Sequence, residues 1–244
     1  MKVAMIGLRG LDDGLGGVEK VVRETSTRLV KRGVDVTCFC RPKYNQHESF
    51  EGVKCVNTAT LYSKHAETAY YALGSMIKAA RGDYDVIHVH ALASSILAWI
   101  PRWLGRKKIV VSVHGLDWQR AKWGPVARSI LRFGEWSAVH LSDCTTCVSV
   151  SLQTYFKMRY LHHRFAYIPN GCDQAPAETV GVLDGLMDRQ YFLYMGRLVP
   201  EKGVHRLIQA YRQLDTDWPL VIAGPATHAS KYKAKLDSLA AGDG

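Results

Sequence analysis

Short apolar runs rich in valine and isoleucine recur along the first two thirds of the chain, at residues 3–6, 34–40, 86–90, 109–113, 144–148 and 165–168. Each is brief, β-branched and bounded by polar or turn-forming residues, which predicts buried strands. Between them the spacing turns helical. In residues 18–32, Val18, Val21, Val22, Thr25, Leu29 and Val30 keep one face of a 3.6-residue repeat, and Gly33 supplies the stop. Strands alternating with helices predict an α/β fold, a Rossmann-like parallel sheet covered on both faces.

Around Asn170 the pattern breaks into P-N-G-C-D-Q-A-P-A-E-T, dense in turn formers, and regular spacing resumes only at Tyr191. The expected organisation is an N-terminal domain over residues 1–170, a linker over 171–189 and a C-terminal part over 190–244. That last part reads as strand 191–195, helix 204–214, strand 220–223 and helix 230–239. Two parallel strands make a poor core, so the part is expected to be the first portion of a second, incomplete Rossmann-like domain.

Composition narrows the class. With 244 residues and 47% hydrophobic content the chain can bury substantial cores. Its longest apolar stretch, 91–100, holds two serines and stops at Pro101, short of the ~20 residues of a membrane span. The opening M-K-V-A-M-I-G is too short for a signal peptide and reads as a first strand, so a cytoplasmic location is expected. Most of the six cysteines fall in apolar strand patterns, as reduced thiols do. Cys144 and Cys147 lie three apart on a predicted strand and face opposite sides, with no second C-x-x-C to complete a zinc site, so structural thiols are expected.

The net charge of +10 is unevenly spread: from Arg102 to Arg132 there are eight Lys or Arg residues and one acid, Asp117. Such a patch suits an anionic membrane surface or a polyanionic acceptor. No helix-turn-helix, zinc-finger or aromatic RNA-binding signature accompanies it, so no nucleic-acid partner is expected. From Arg120 to Arg132 the cations interleave with Trp123, Val126, Ile130 and Leu131, flanked by Trp118 and Phe133. This reads either as a helix at a membrane interface or as a core-packed helix with a solvated basic face.

Three segments carry candidate chemistry. Residues 196–203, G-R-L-V-P-E-K-G, follow an apolar run and precede a helical pattern, placing Arg197 and Lys202 beside a helix start. Two cations, helix N–H groups and the helix dipole suit a diphosphate, with Glu201 orienting a cation. A solvated surface turn has the same local sequence. The first predicted strand opens into G-L-R-G-L-D-D-G-L-G-G-V-E, where Gly16 and Gly17 let a ligand approach backbone N–H groups, or simply form a flexible loop. A dinucleotide fingerprint is absent: Glu19 stands at the third glycine, and Cys40 and Arg41 stand where an acid would bind ribose, so no nicotinamide cofactor is expected. His114 follows the strand 109–113, at the edge where ligands of parallel sheets sit, or else is hydrogen-bonded in a turn. His88 and His90 share a strand face without a third ligand and are read as structural. Asp83-Tyr84-Asp85 and Asp215-Thr216-Asp217 precede strands and are read as turns and caps, so no metal site is expected.

Taken in order, the loop ending Gly16-Gly17-Val18-Glu19, the H-G-L-D-W segment, the P-N-G-C-D linker and G-R-L-V-P-E-K-G resemble family 4 glycosyltransferases of GT-B architecture. The head segment is most similar to the rhamnosyltransferase-like branch, with Leu15 in place of its aromatic residue. The resemblance implies two Rossmann-like domains, a nucleotide-sugar donor bound mainly by the second and a saccharide or lipid-linked acceptor bound mainly by the first. It also implies retaining hexosyl transfer in cell-surface polysaccharide synthesis, with no metal or other cofactor required. Arg197 and Lys202 would hold the donor diphosphate and stabilise the leaving group, Gly16 and Gly17 would pack against phosphates or sugar, and His114 would contact the transferred sugar. Glu201 and Asn170 would support them. The family's E-x7-E carboxylate motif has no counterpart before Gly244, so the chain is expected to be a C-terminally truncated fragment with weak or no activity alone. The alternative is a non-catalytic module that binds sugar phosphate or an anionic membrane.

Overall fold

The computed structural model describes residues 1–12, 16–61, 67–120, 123–161, 163–172, 190–226 and 230–241. The chain divides into two compact units, Met1–Cys172 and Asp173–Gly244. The first contains β1 (Lys2–Ile6), α1 (Gly17–Lys31), β2 (Asp35–Cys40), β3 (Ser49–Phe50), β4 (Val53–Asn57), α2 (Glu67–Arg81) and β5 (Val86–His90). It continues through α3 (Leu92–Ser95), α4 (Trp99–Trp103), β6 (Lys108–Val113), α5 (Pro125–His140), β7 (Cys144–Cys147), α6 (Val150–Arg159) and β8 (Phe165–Tyr167).

These strands form one sheet in the order β3-β4-β2-β1-β5-β6-β7-β8, parallel except for β3. The valine-rich runs are strands because both faces are covered. On β1, Ala4 and Ile6 enter a core with Tyr71, Met76, Ile87 and Val111, whereas Val3 and Met5 enter another with Val22, Val36 and Val53. Alternate residues thus serve opposite cores, and the run shows no polar alternation. The chain first builds outward from β1 through β2 to β4, then returns to lay down β5 to β8 on the other side. The order reverses between β1 and β5, and ligands of such sheets bind outside the carboxyl ends of the strands at this point.

The second unit contains β9 (Phe192–Met195), α7 (Val204–Tyr211), β10 (Leu220–Ala223) and α8 (Ser230–Ala240). Its two strands pair in parallel, and Val204, Ile208, Tyr232 and Leu236 form its buried cluster.

Two local departures from the sequence pattern have physical causes. The hairpin β3–β4 escapes periodicity because β4 is buried on one face only and turns back through Glu51 and Gly52, both at positive φ. The basic aromatic stretch is not one helix from Arg120: Asp117–Gln119 forms a separate 3-10 turn, and α5 begins at Pro125. Proline lacks the N–H an interior position needs but fits the first helical position. Residues 13–15 and most of the expected linker, 173–189, lie outside the described residues, as does Leu15 with its comparison to an aromatic.

Candidate functional site

In the first unit, the loops after β1, β5 and β6 meet at the switch point. Gly7 leaves β1 at φ +108°, and a Cβ there would lie 2.0 Å from the His90 carbonyl oxygen, so only glycine permits this approach. The Gly7 N–H donates to Tyr71 Oη at 3.2 Å, and that hydroxyl donates to the Phe39 carbonyl at 2.6 Å. Tyr71 therefore ties the carboxyl ends of β1 and β2 to α2, and burial raises its phenol pKa. Ala91, just past β5, sits at φ 74°, a strained conformation for a residue with a Cβ.

His114 follows β6 and is half-buried at this edge. Burial lowers its pKa, while the carboxylates of Asp117 and Glu19 oppose the shift. Glu19 lies in the first turn of α1, whose N-cap is Gly16. The fold thus brings the first turn of α1 toward His114. Among the described residues, a Cβ on Gly17 would meet nothing within 4 Å. Asn170, beyond β8, is exposed.

His114 is not isolated. Its Nε2 lies 3.2 Å from His90 Nδ1, and His88 Nε2 lies 2.7 Å from Ser112 Oγ, which is 2.6 Å from Thr146 Oγ1. Two histidines that look merely structural in sequence therefore form, with His114, a polar row across β5, β6 and β7. Burial holds His88 down at about 4 and His90 well below the usual imidazole range, so both are neutral at physiological pH.

The loop carrying His114 is anchored by a residue that sequence reasoning overlooked. Glu135 of α5 is 2% exposed; its Oε2 accepts from Trp118 Nε1 at 2.7 Å, and its Oε1 accepts from Tyr160 Oη at 2.8 Å and Tyr155 Oη at 3.0 Å. Arg159 Nε lies 3.3 Å from Oε1, and the Arg132 guanidinium lies over the Trp118 ring at 4.6 Å. Burial, assisted by the Glu135 carboxylate, pushes the Tyr155 phenol up to about 12. The only signal in the sequence is a lone acid in the otherwise uncharged stretch 133–139, a position that demands partners. Outward from this anchor, α5 exposes Val126, Ile130, Phe133 and Trp136 beside Arg128 and Arg132.

In the second unit, Gly196 ends β9 and Gly224 ends β10 at φ +148°, where a Cβ would come 1.9 Å from the Gly196 carbonyl oxygen. This close packing leaves the loop 197–203 above the strand ends. Pro200–Lys202 makes a 3-10 turn and Gly203, at φ 70°, caps α7. Arg197 and Lys202 are exposed, and among the described residues neither forms an ion pair. Among the described residues Glu201 likewise forms no ion pair with either cation, so the expected orienting pair does not form in this structure.

Asp83 accepts from Lys2 Nζ at 2.6 Å and Asp85 accepts from the Lys2 N–H at 2.7 Å, fastening the amino edge of β1. Among the described residues no group of three or more His, Cys, Asp or Glu is placed to hold a metal ion, and no helix is long and apolar enough to cross a membrane.

Comparison with known proteins fits this geometry. The profile of Glycosyltransferase Family 4 matches residues 15–175, and that of Glycosyl transferases group 1 matches residues 184–243. The chain belongs to glycosyltransferase family 4. An uncharacterized glycosyltransferase, YqgM of Bacillus subtilis (strain 168), is 26% identical over 157 residues, covering 62% of this chain and 42% of YqgM. Among solved structures, a sucrose-phosphate synthase from Thermosynechococcus elongatus superposes with TM-score 0.74 at 18% identity, over 99% of this chain and 67% of that one. Anabaena Alr3699/HepE in complex with UDP-glucose gives 0.70 at 18%, over 99% and 65%. The family 4 chain thus has the GT-B fold and spans about two thirds of the length of these structures.

Proposed function

We propose that this family 4 chain serves retaining transfer of a hexosyl group from a nucleotide-diphosphate sugar to a saccharide or lipid-linked acceptor, in cell-surface polysaccharide synthesis and within the rhamnosyltransferase-like branch. The supporting observation is the pair Arg197 and Lys202, exposed and without ion pairs among the described residues, on the loop between β9 and α7. Cations without carboxylate partners beside a helix N-terminus are set to receive a diphosphate and to stabilise its charge as the sugar leaves. In this reading residues 1–170 form the acceptor side, 171–189 the linker and 190–244 the donor side. Gly16 and Gly17 pack against phosphates or sugar, His114 contacts the transferred sugar, and Glu201 and Asn170 support the donor. Calorimetry with UDP-glucose tests the clamp: R197A and K202A should each weaken binding about tenfold or more, and unchanged affinity in both would overturn it.

The chain contains no match to the E-x7-E carboxylates expected to hold sugar hydroxyls and ribose. Transfer by the 244-residue chain is accordingly expected to be weak or absent, and a robust rate would contradict this. A second reading, favoured by the exposed cations Arg197 and Lys202, is a non-catalytic module that binds sugar phosphate or an anionic membrane; consumption of an acceptor in product analysis separates the two. The exposed apolar and basic face of α5 supports peripheral docking at the cytoplasmic side of an anionic membrane. Co-sedimentation with phosphatidylglycerol vesicles in preference to phosphatidylcholine is the expected result, and equal binding to both would count against it.

A further inference from the structure

His90 is the last residue of β5, 2% exposed, at the switch point of the sheet. Its Nδ1 meets His114 Nε2 at 3.2 Å, and its Nε2 is buried with no hydrogen-bond partner among the described residues. Between two neutral imidazoles only one nitrogen of the contact carries the proton, and the choice fixes both rings. If His114 Nε2–H donates, His90 must carry its own proton on Nε2, as a buried N–H without an acceptor. If His90 Nδ1–H donates, the orphaned Nε2 is a bare acceptor and no buried N–H is left unpaired. An orphaned buried donor is the rarer and costlier arrangement, by about tenfold or more in population. The second state therefore holds, and His114, accepting at Nε2, keeps its proton on Nδ1.

We infer that His90 is a positioning residue that locks His114 in the Nδ1–H tautomer, so that His114 offers this N–H to an oxygen of the bound donor sugar. The sugar contact rests on the function proposed above; the tautomer does not. Burial holds the pair neutral, and so does His88, whose ring centroid lies 4.3 Å from that of His90, whereas the carboxylates of Asp117 and Glu19 act on His114 in the opposite sense. Protonating His114 would set an Nε2–H against the Nδ1–H of His90, donor against donor. His90 reaches its partner through Cβ, Cγ and one nitrogen, the same path as the amide of asparagine, so His90→Asn retains a donor at that place while His90→Leu removes it.

Long-range proton–nitrogen NMR on the nitrogen-15-labelled chain, with the His114 signal assigned by its loss in H114N, reads the tautomer directly. The native chain and H90N should show His114 protonated on Nδ1, and H90L should move it toward the Nε2–H form that an unconstrained histidine side chain prefers. A native His114 protonated on Nε2, or an H90L spectrum equal to the native one, overturns the inference. If H90L does not fold, the native and H90N spectra decide. Calorimetry then isolates the sugar contact: H90L should weaken UDP-glucose about tenfold while leaving UDP unchanged, with H90N restoring it. A shifted tautomer with equal UDP-glucose affinity supports the positioning of His114 and counts against its contact with the sugar.

Discussion

Replacing Glu135 with glutamine tests whether the loop bearing His114 is held from beneath. The amide keeps the volume, and its oxygen still accepts from Tyr155 and Tyr160, which lie 3.0 and 2.8 Å from Oε1. Its NH2 then faces the Trp118 N–H, which lies 2.7 Å from Oε2 in the native chain, donor against donor. Leaving that indole N–H unpaired costs about 1–3 kcal/mol, and the remaining bonds lose their charge assistance, about 1 kcal/mol more. The Arg159 contact adds little because its side chain is 57% exposed. Together the first unit should lose about 2–4 kcal/mol. Five of the six tryptophans, Trp99, Trp103, Trp118, Trp123 and Trp136, lie in that unit, so urea unfolding followed by tryptophan fluorescence reports on it. The midpoint should fall with the slope unchanged. In a double-mutant cycle with Trp118→Phe the coupling should be about 1–2 kcal/mol. A midpoint within error of the native chain, or zero coupling, would refute the reasoning.

Acid should destabilise the first unit through its buried histidines. The His88 pKa falls from an ordinary 6.5 to about 4 in the fold, so between those values the unfolded chain binds more protons and stability rises with pH. Its contribution is fully present above pH 6.5 and is lost as pH falls toward 4, about 3 kcal/mol in all; a native-minus-H88Q stability difference that stays flat across that window would count against it. Gly7→Ala should cost about 3–5 kcal/mol by urea titration, since alanine resists this φ and its Cβ would strike the His90 carbonyl. An unchanged midpoint would mean that the approach of β1 and β5 is not as tight as drawn. Ala91→Gly should raise stability by about 1 kcal/mol by releasing the strain at φ 74°, and a loss of stability would argue that the strain is absent.

The alternation of valine-rich runs with helical spacing determined the fold class of this protein by itself, because each run must be buried on both faces and only a covered parallel sheet does that. Gly16, Gly17, His114, Arg197 and Lys202 were legible as candidates, residues of particular chemistry in the segments that follow predicted strands, where the open edge of such a sheet binds ligands. Strand order was decided only by the tertiary structure. Nothing local in residues 86–90 says that β5 lies between β1 and β6, yet the first pairing sets His90 under Gly7 and the second brings it to His114. The anchor Glu135 was equally hidden, since a carboxylate's partners here lie 17 to 25 residues away and on other elements. Periodicity reports which face of an element is buried; it carries no information about which buried polar groups meet, because those contacts are made between elements whose order the pattern does not encode.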